Sequence, residues 1–199
     1  MTSVVIPFRG TDPKRRLDPL READRLRLAD AMLADVLTAA VAVGPVFVVA
    51  PAEAAPALPE GATLVPDPHR GQGAAVQAGL DAALSAAATP PHLVVNADLP
   101  CVTPRDLLAL AGAAPDGGLA LAAAADGTTN ALALVDAGLF EPSYGPGSAE
   151  RFAALGPSRR IDAPNLVDDV DTPGDLARLE RRLGAATRRV LESLRREAA

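Results

Sequence analysis

The sequence is poor in the residues that build covalent cross-links or soft-metal sites. Cys101 is the only cysteine, so neither an intrachain disulfide nor a cysteine-cluster metal site can form. Lysine is as scarce: of 19 Lys+Arg residues, only Lys14 is a lysine. The two histidines, His69 and His92, are isolated in sequence and fit surface or strand-end positions better than catalytic ones. No apolar run is long enough to span a bilayer, since the longest, from Leu37 to Ala50, is broken by Gly44-Pro45. The first residues lack the basic start and apolar stretch of a signal peptide, so a cytoplasmic location is expected. The formal charge of −6 argues against nucleic acid as a partner, because backbone binding needs a concentrated positive face. It leaves room for a locally basic pocket that takes a phosphate.

What is present is a strand–helix alternation. At 199 residues and 49% hydrophobic, the chain can bury one good core, and a single domain over 1–199 is expected. Val4-Val5-Ile6 reads as a short buried strand. Leu26, Ala29, Leu33, Val36 and Ala40 recur at helical spacing. Val46 to Val49, Thr63 to Val65 and Leu93 to Val95 read as further strands, and the alanine-rich stretch from Gly73 to Ala87 as a helix. Thr103-Pro104 and Thr172-Pro173 are helix starts, with Thr as N-cap and Pro at the first helical position. Leu119 to Ala124 and Ala131 to Val135 are two more strand candidates, and one long arginine-rich helix is expected from Pro173 to near the C-terminus. Such alternation predicts an α/β fold with a mostly parallel central sheet covered by helices on both faces. Ligands of such sheets bind beyond the carboxyl ends of the strands.

Polar residues that follow apolar strands are therefore the candidate site. The loop after the first strand carries Arg9, Lys14 and Arg16, which could meet a polyphosphate from several sides. It is not a Walker A loop, since the glycine spacing and the Lys-Ser/Thr ending are missing. Asp98 follows the strand Leu93 to Val95, and a carboxylate there is a hard oxygen ligand suited to Mg²⁺. In Asp168-Asp169-Val170-Asp171, an extended chain puts Asp169 and Asp171 on one face; helix capping is the plainer use of such a cluster. Gly127-Thr128-Thr129-Asn130 reads by default as a hairpin turn. Tyr144-Gly145-Pro146-Gly147-Ser148 leads into a helix-like stretch where backbone N–H groups can receive an anion. Gly71-Gln72-Gly73 is half of a dinucleotide fingerprint, but Val76 stands where its third glycine belongs, which argues against a dehydrogenase.

Taken in order, these segments resemble the 2-phospholactate/phosphoenolpyruvate guanylyltransferase family of coenzyme F-420 biosynthesis, within the molybdopterin-guanylyltransferase-like superfamily. The resemblance rests on Ile6-Pro7-Phe8-Arg9 with Pro13-Lys14-Arg15-Arg16-Leu17, on Asp98-Leu99-Pro100, on Gly127 to Asn130, on Tyr144 to Ser148, and on Asp169-Val170-Asp171-Thr172-Pro173-Gly174-Asp175-Leu176. Arg9 replaces the family's usual first lysine, and Gly73 stands where an Asn is common. The resemblance implies a Rossmann-like nucleotidyltransferase fold and transfer of GMP from GTP to a small phosphorylated acid, with release of pyrophosphate. It implies that Lys14 and Arg16, assisted by Arg9, hold the GTP phosphates, and that Lys14 and Asp98 are catalytic. Asp98 with Asp169 and Asp171 would hold Mg²⁺, and Thr128, Thr129, Asn130, Gly145 and Ser148 would hold the acceptor. The GC-rich style of the composition points to a bacterial source and favours phosphoenolpyruvate over 2-phospholactate. The expected partners are GTP and the acid, with no nucleic acid and no membrane, and a homodimer is admitted. Two alternatives stand beside this: a molybdenum-cofactor-type guanylyl- or cytidylyltransferase, whose glycine-rich opening is missing, and a non-catalytic nucleotide-binding regulator.

Overall fold

The computed structural model describes residues 2–10, 17–18 and 20–197. In chain order these form β1 (Thr2–Pro7), α1 (Glu22–Val41), β2 (Val46–Ala50), β3 (Ala62–Pro66), α2 (Gln72–Ser85), β4 (Thr89–Val95), α3 (Pro104–Ala113), β5 (Leu119–Ala123), β6 (Thr129–Leu134), α4 (Ser148–Ala153), β7 (Ser158–Arg160), α5 (Pro164–Val167), α6 (Pro173–Leu179) and α7 (Ala185–Glu197). The strands make one sheet in the order β3-β2-β1-β4-β6-β5-β7. Every neighbouring pair is parallel except the two that involve β6, which runs against both β4 and β5. The expected mostly parallel α/β sheet is what forms.

Residue alternation divides each strand between two cores. Val4, Ile6, Val46, Val48, Leu93 and Val95 face the layer that holds α1 and α3. Val5, Phe47, Val49 and Val94 face the layer that holds α2 and α4. On β5 and β6 the two sides differ in size: Ala120, Ala122, Ala131 and Ala133 line the first face, Leu119, Leu121, Leu132 and Leu134 the second. Because side chains alternate across a strand, a register slip of one residue would swap alanine for leucine across the sheet. On the second face α2 lies directly on the sheet, since a Cβ at Gly79 would come within 2.3 Å of Val5 Cγ1.

The structure departs from the sequence reading in four places. Thr129 and Asn130 are the first residues of β6, not turn residues, and the turn is closed earlier by Ala124 N–H donating to Thr128 O at 2.9 Å. The short strand β7 and the single turn α5 were not expected; Ser158–Arg160 is exposed throughout and carries no apolar pattern to announce it. The long C-terminal helix is two helices. Gly184 sits at the break, where an added Cβ would lie 2.2 Å from the Asp35 carboxyl carbon. The Asp35 carboxylate accepts from Ala186 N–H and Thr187 N–H, both at 2.9 Å, so a buried acid of α1 serves the open start of α7. This is also why α1 is buried on a second side. Leu28 and Met32 meet Leu176, Leu179 and Leu183 in a third cluster, off the face that Leu33 and Val36 present to the sheet. His92, expected at a surface or strand end, is buried inside β4 with Nδ1 2.8 Å from Ser3 Oγ, and burial lowers its pKa.

Candidate active site

At the carboxyl edge of β4 the chain passes Asn96 and reaches Asp98, while the segment after α5 returns to the same edge. Asp98, Asp169 and Asp171 there each offer an oxygen, and the three oxygens lie within 4.8 Å of one another. All three residues are half-buried. A spread of that size is about twice the ~2.0–2.5 Å bond that oxygen ligands make to Mg²⁺ or Ca²⁺. A hard divalent cation thus fits the donor set, whose all-oxygen chemistry favours Mg²⁺, Ca²⁺ or Mn²⁺. The remaining carboxylates of this region have other work. Asp175 forms a capping box with Thr172 at the start of α6 and also accepts from the N–H of Asp171 at 3.2 Å. Asp168 is held by Arg178 and Arg182. Capping, the plainer use of an aspartate cluster, is thus performed by Asp175, outside the trio.

Several bonds bring the two parts of the trio together. The N–H of Val170 donates to the carbonyl of Asp98 at 3.1 Å. Val170 itself is fully buried beside Leu28, Cys101 and Leu176, so its two aspartate neighbours turn away from that cluster. Asn130 Nδ2 donates to Val167 O at 3.0 Å, tying the end of α5 to β6. On the other side, Asn96 N–H donates to Asn130 O at 3.0 Å, and its amide bridges Gln72 (2.9 Å) and Thr129 O (3.2 Å). The antiparallel direction of β6 is what brings its first residues to the edge where the parallel strands end.

Beside this edge lies a cleft of about 790 Å³, bounded by Arg9, Arg70, the first turn of α2, Pro142, Tyr144 and Gly145. A Cβ at Gly73 would come within 2.4 Å of Pro142 Cβ, so the Pro142–Gly145 loop sits against the bare backbone of α2. Glycine where the family often carries asparagine is therefore a packing requirement here. Arg151 fastens the same loop through the carbonyls of Ser143 (2.8 Å) and Pro146 (2.7 Å).

Of the residues singled out in the sequence, the structure brings Asp98, Asp169 and Asp171 into one cluster. Arg9 and Gly145 line one cleft. Thr129 and Ser148 are buried with their hydroxyls 3.0 Å apart. Asn130 is 3% exposed and its amide nitrogen is spent on Val167. Thr128 is half-buried and donates to Asp126 Oδ1 at 2.6 Å. Lys14 and Arg16 lie outside the described residues. Cys101 is no nucleophile: burial pushes its thiol up to about 11, so it stays protonated at neutral pH. Sequence reasoning missed Arg70, Asn96, Arg178 and Arg182. Only Arg70, flanking the Gly-x-Gly, had a signal that could have been followed.

A mostly parallel α/β sheet with an acidic cluster and a cleft at its carboxyl edge suits a protein that binds a phosphorylated ligand with a cation. The comparisons agree. Residues 24–165 match the family described as "MobA-like NTP transferase domain". The phosphoenolpyruvate guanylyltransferase of Nocardia farcinica is 37% identical over 180 residues, covering 82% of this chain and 78% of that protein. Those of Geodermatophilus obscurus and Thermomonospora curvata are 39% and 40% identical, each covering 73% of this chain and 69% and 68% of theirs. The chain belongs to the phosphoenolpyruvate guanylyltransferase family of MobA-like NTP transferases. In fold it is similar to a protein from Desulfovibrio desulfuricans described as a nucleotide-diphospho-sugar transferase (TM-score 0.75, 15% identity, 96% of this chain and 94% of that one). It is also similar to the 2-C-methyl-D-erythritol 4-phosphate cytidylyltransferase of Thermus thermophilus (TM-score 0.59, 20% identity, 90% and 97%). No helix among the described residues is long and apolar enough to cross a membrane.

Proposed function

We propose that this chain transfers the guanylyl group of GTP to phosphoenolpyruvate, as a step toward coenzyme F-420 in the cytoplasm. The observation that carries the reading is the identity of 37–40% to proteins of that name over most of the chain, found together with a carboxylate trio at the ligand edge of the sheet. A phosphate oxygen of phosphoenolpyruvate forms a bond to the α-phosphorus of GTP, the bond from that phosphorus to the bridging oxygen breaks, and pyrophosphate leaves. No protein nucleophile takes part.

The chain's task is to hold two anions in line and to offset their repulsion. Mg²⁺ held by Asp98, Asp169 and Asp171 would supply positive charge beside the triphosphate. Arg9 lines the neighbouring cleft and is assigned to phosphate, together with Lys14 and Arg16 by their resemblance to the family's first loop. Gly145 and Ser148, with Thr128 and Thr129, are assigned to the acceptor; the left-handed Gly145 (φ 107°) leaves its wall of the cleft without a side chain. Asn130, named with them as an acceptor contact, holds the end of α5 to β6 through its buried bond to Val167. The missing glycine-rich opening keeps the molybdenum-cofactor reading in second place.

The test is pyrophosphate release from GTP and Mg²⁺ with phosphoenolpyruvate, 2-phospholactate or molybdopterin as acceptor. Turnover with phosphoenolpyruvate is expected. GTP binding without turnover on any of the three would leave a nucleotide-binding regulator instead.

A further inference from the structure

The segment from Asn165 to Asp171 carries two of the three clustered carboxylates and has no regular structure after α5. Something must fix its direction. Arg182 reaches its start and its middle, donating from one nitrogen to Asn165 Oδ1 at 3.0 Å and from the other to Asp168 Oδ2. Arg178 takes the second oxygen of Asp168 at 2.5 Å and reaches Asp175 Oδ1 at 3.0 Å. Asn165 in turn donates to Asp106 Oδ2 at 3.0 Å, inside the capping box of α3. An unbroken chain of bonds thus runs from one helix cap to another across the segment, and its two cations belong to α6 and the turn after it.

We propose that Arg182, with Arg178, is a positioning residue for the carboxylate trio, acting through Asp168. The inference rests on the assignment of Asp98, Asp169 and Asp171 to a metal ion. With both oxygens of Asp168 held by arginines of α6 and the turn after it, that residue pins the backbone on either side of it. Its neighbours Asp169 and Asp171 remain aimed at Asp98. Exposed ion pairs of this kind contribute little to stability, whereas partners that orient metal ligands commonly govern affinity. The forked guanidinium matters, because its two nitrogens meet Asn165 and Asp168 in a fixed planar geometry that a flexible ammonium does not pre-set.

The experiment is a Mn²⁺ titration of the full chain, followed by electron paramagnetic resonance, beside a thermal melt. Arg182→Ala is expected to weaken Mn²⁺ binding by about 10–100-fold, with little change in the melting temperature. Arg182→Lys should recover only part of the loss. If Arg182→Ala fails to fold, Asp168→Asn removes the charge that both arginines hold while keeping the shape, and the same loss is expected. Asp98→Asn and Asp169→Asn are run alongside. Loss of Mn²⁺ in these two with unchanged affinity in Arg182→Ala and Asp168→Asn overturns the positioning role alone. Unchanged affinity in Asp98→Asn and Asp169→Asn overturns the metal assignment and the positioning role with it.

Discussion

The N–H of Val170 donates to the carbonyl oxygen of Asp98 at 3.1 Å, joining a residue near the end of the chain to the end of its central strand. With Val170 buried and its flanking aspartates turned outward, this backbone bond ties Asp169 and Asp171 to the Asp98 end of the cluster. That geometry makes the first prediction. Asp98→Asn should lower guanylyl transfer by more than about 100-fold, the upper end of the effect of losing an outer partner of a metal ligand. The circular dichroism spectrum and melt should stay near wild type. Near-normal turnover would remove Asp98 from the site.

Ser148 was singled out as an acceptor contact, and its hydroxyl is also the buried partner of Thr129 at 3.0 Å. Ser148→Ala should therefore raise the KM for phosphoenolpyruvate more than the KM for GTP. It should also cost about 1–3 kcal/mol of stability by stranding the Thr129 hydroxyl. Urea denaturation of Ser148→Ala and Thr129→Val separates the two effects. A stability loss with both KM values unchanged would make the pair purely structural.

The break between α6 and α7 depends on Gly184 leaving room for the Asp35 carboxylate. Gly184→Ala should cost about 1–3 kcal/mol through overpacking, and Asp35→Ala about 0.5–2 kcal/mol through the lost cap. The double variant should be less destabilised than the sum, since removing Asp35 removes the clash. Strict additivity in denaturant midpoints would mean that the contact is relieved some other way.

The arginine network has a pH signature. Burial opposes ionisation of Asp168, but hydrogen bonds from Arg182 and Arg178 outweigh it and hold the carboxyl below its ordinary value. Asp175 is likewise depressed against burial, by Thr172, Arg178 and the backbone. A depressed folded-state pKa means that the unfolded chain binds the proton first. The stabilisation is fully present above the unfolded value of about 3.9 and is lost as the pH falls through the folded values. The gap in melting temperature between wild type and Asp168→Asn, small at neutral pH because the pairs are exposed, should close as the pH drops below about 4; a gap that persists unchanged there would sink this account.

Much of the fold was legible because it rests on local rules. The apolar triplets at Val4, Val46 and Leu93 became strands, and both Thr-Pro starts became capping boxes. Asp98 and the Asp169/Asp171 pair were legible from their place after a strand and their spacing. What stayed hidden depends on contacts distant in sequence. The helix break needs Asp35, far away on α1, and β7 is held by β5 in spite of its polar residues. Thr129 and Asn130 looked like turn chemistry because threonine and asparagine suit turns, yet the ladder with β4 and β5 claims this end of the hairpin. Arg178 and Arg182 were part of a stretch expected only to be an arginine-rich helix, and only the geometry shows which carboxylate they hold.

The bond from Val170 to Asp98 also sets an order of assembly. As the chain leaves the ribosome, all seven strands can be in place once residue 160 has emerged, while Asp98 still waits for its companions. The carboxylate trio is completed only when the segment beyond α5 docks. The sheet can thus form before the proposed cation site is complete, which places the site among the later parts of the molecule to mature, with only α6 and α7 still to follow.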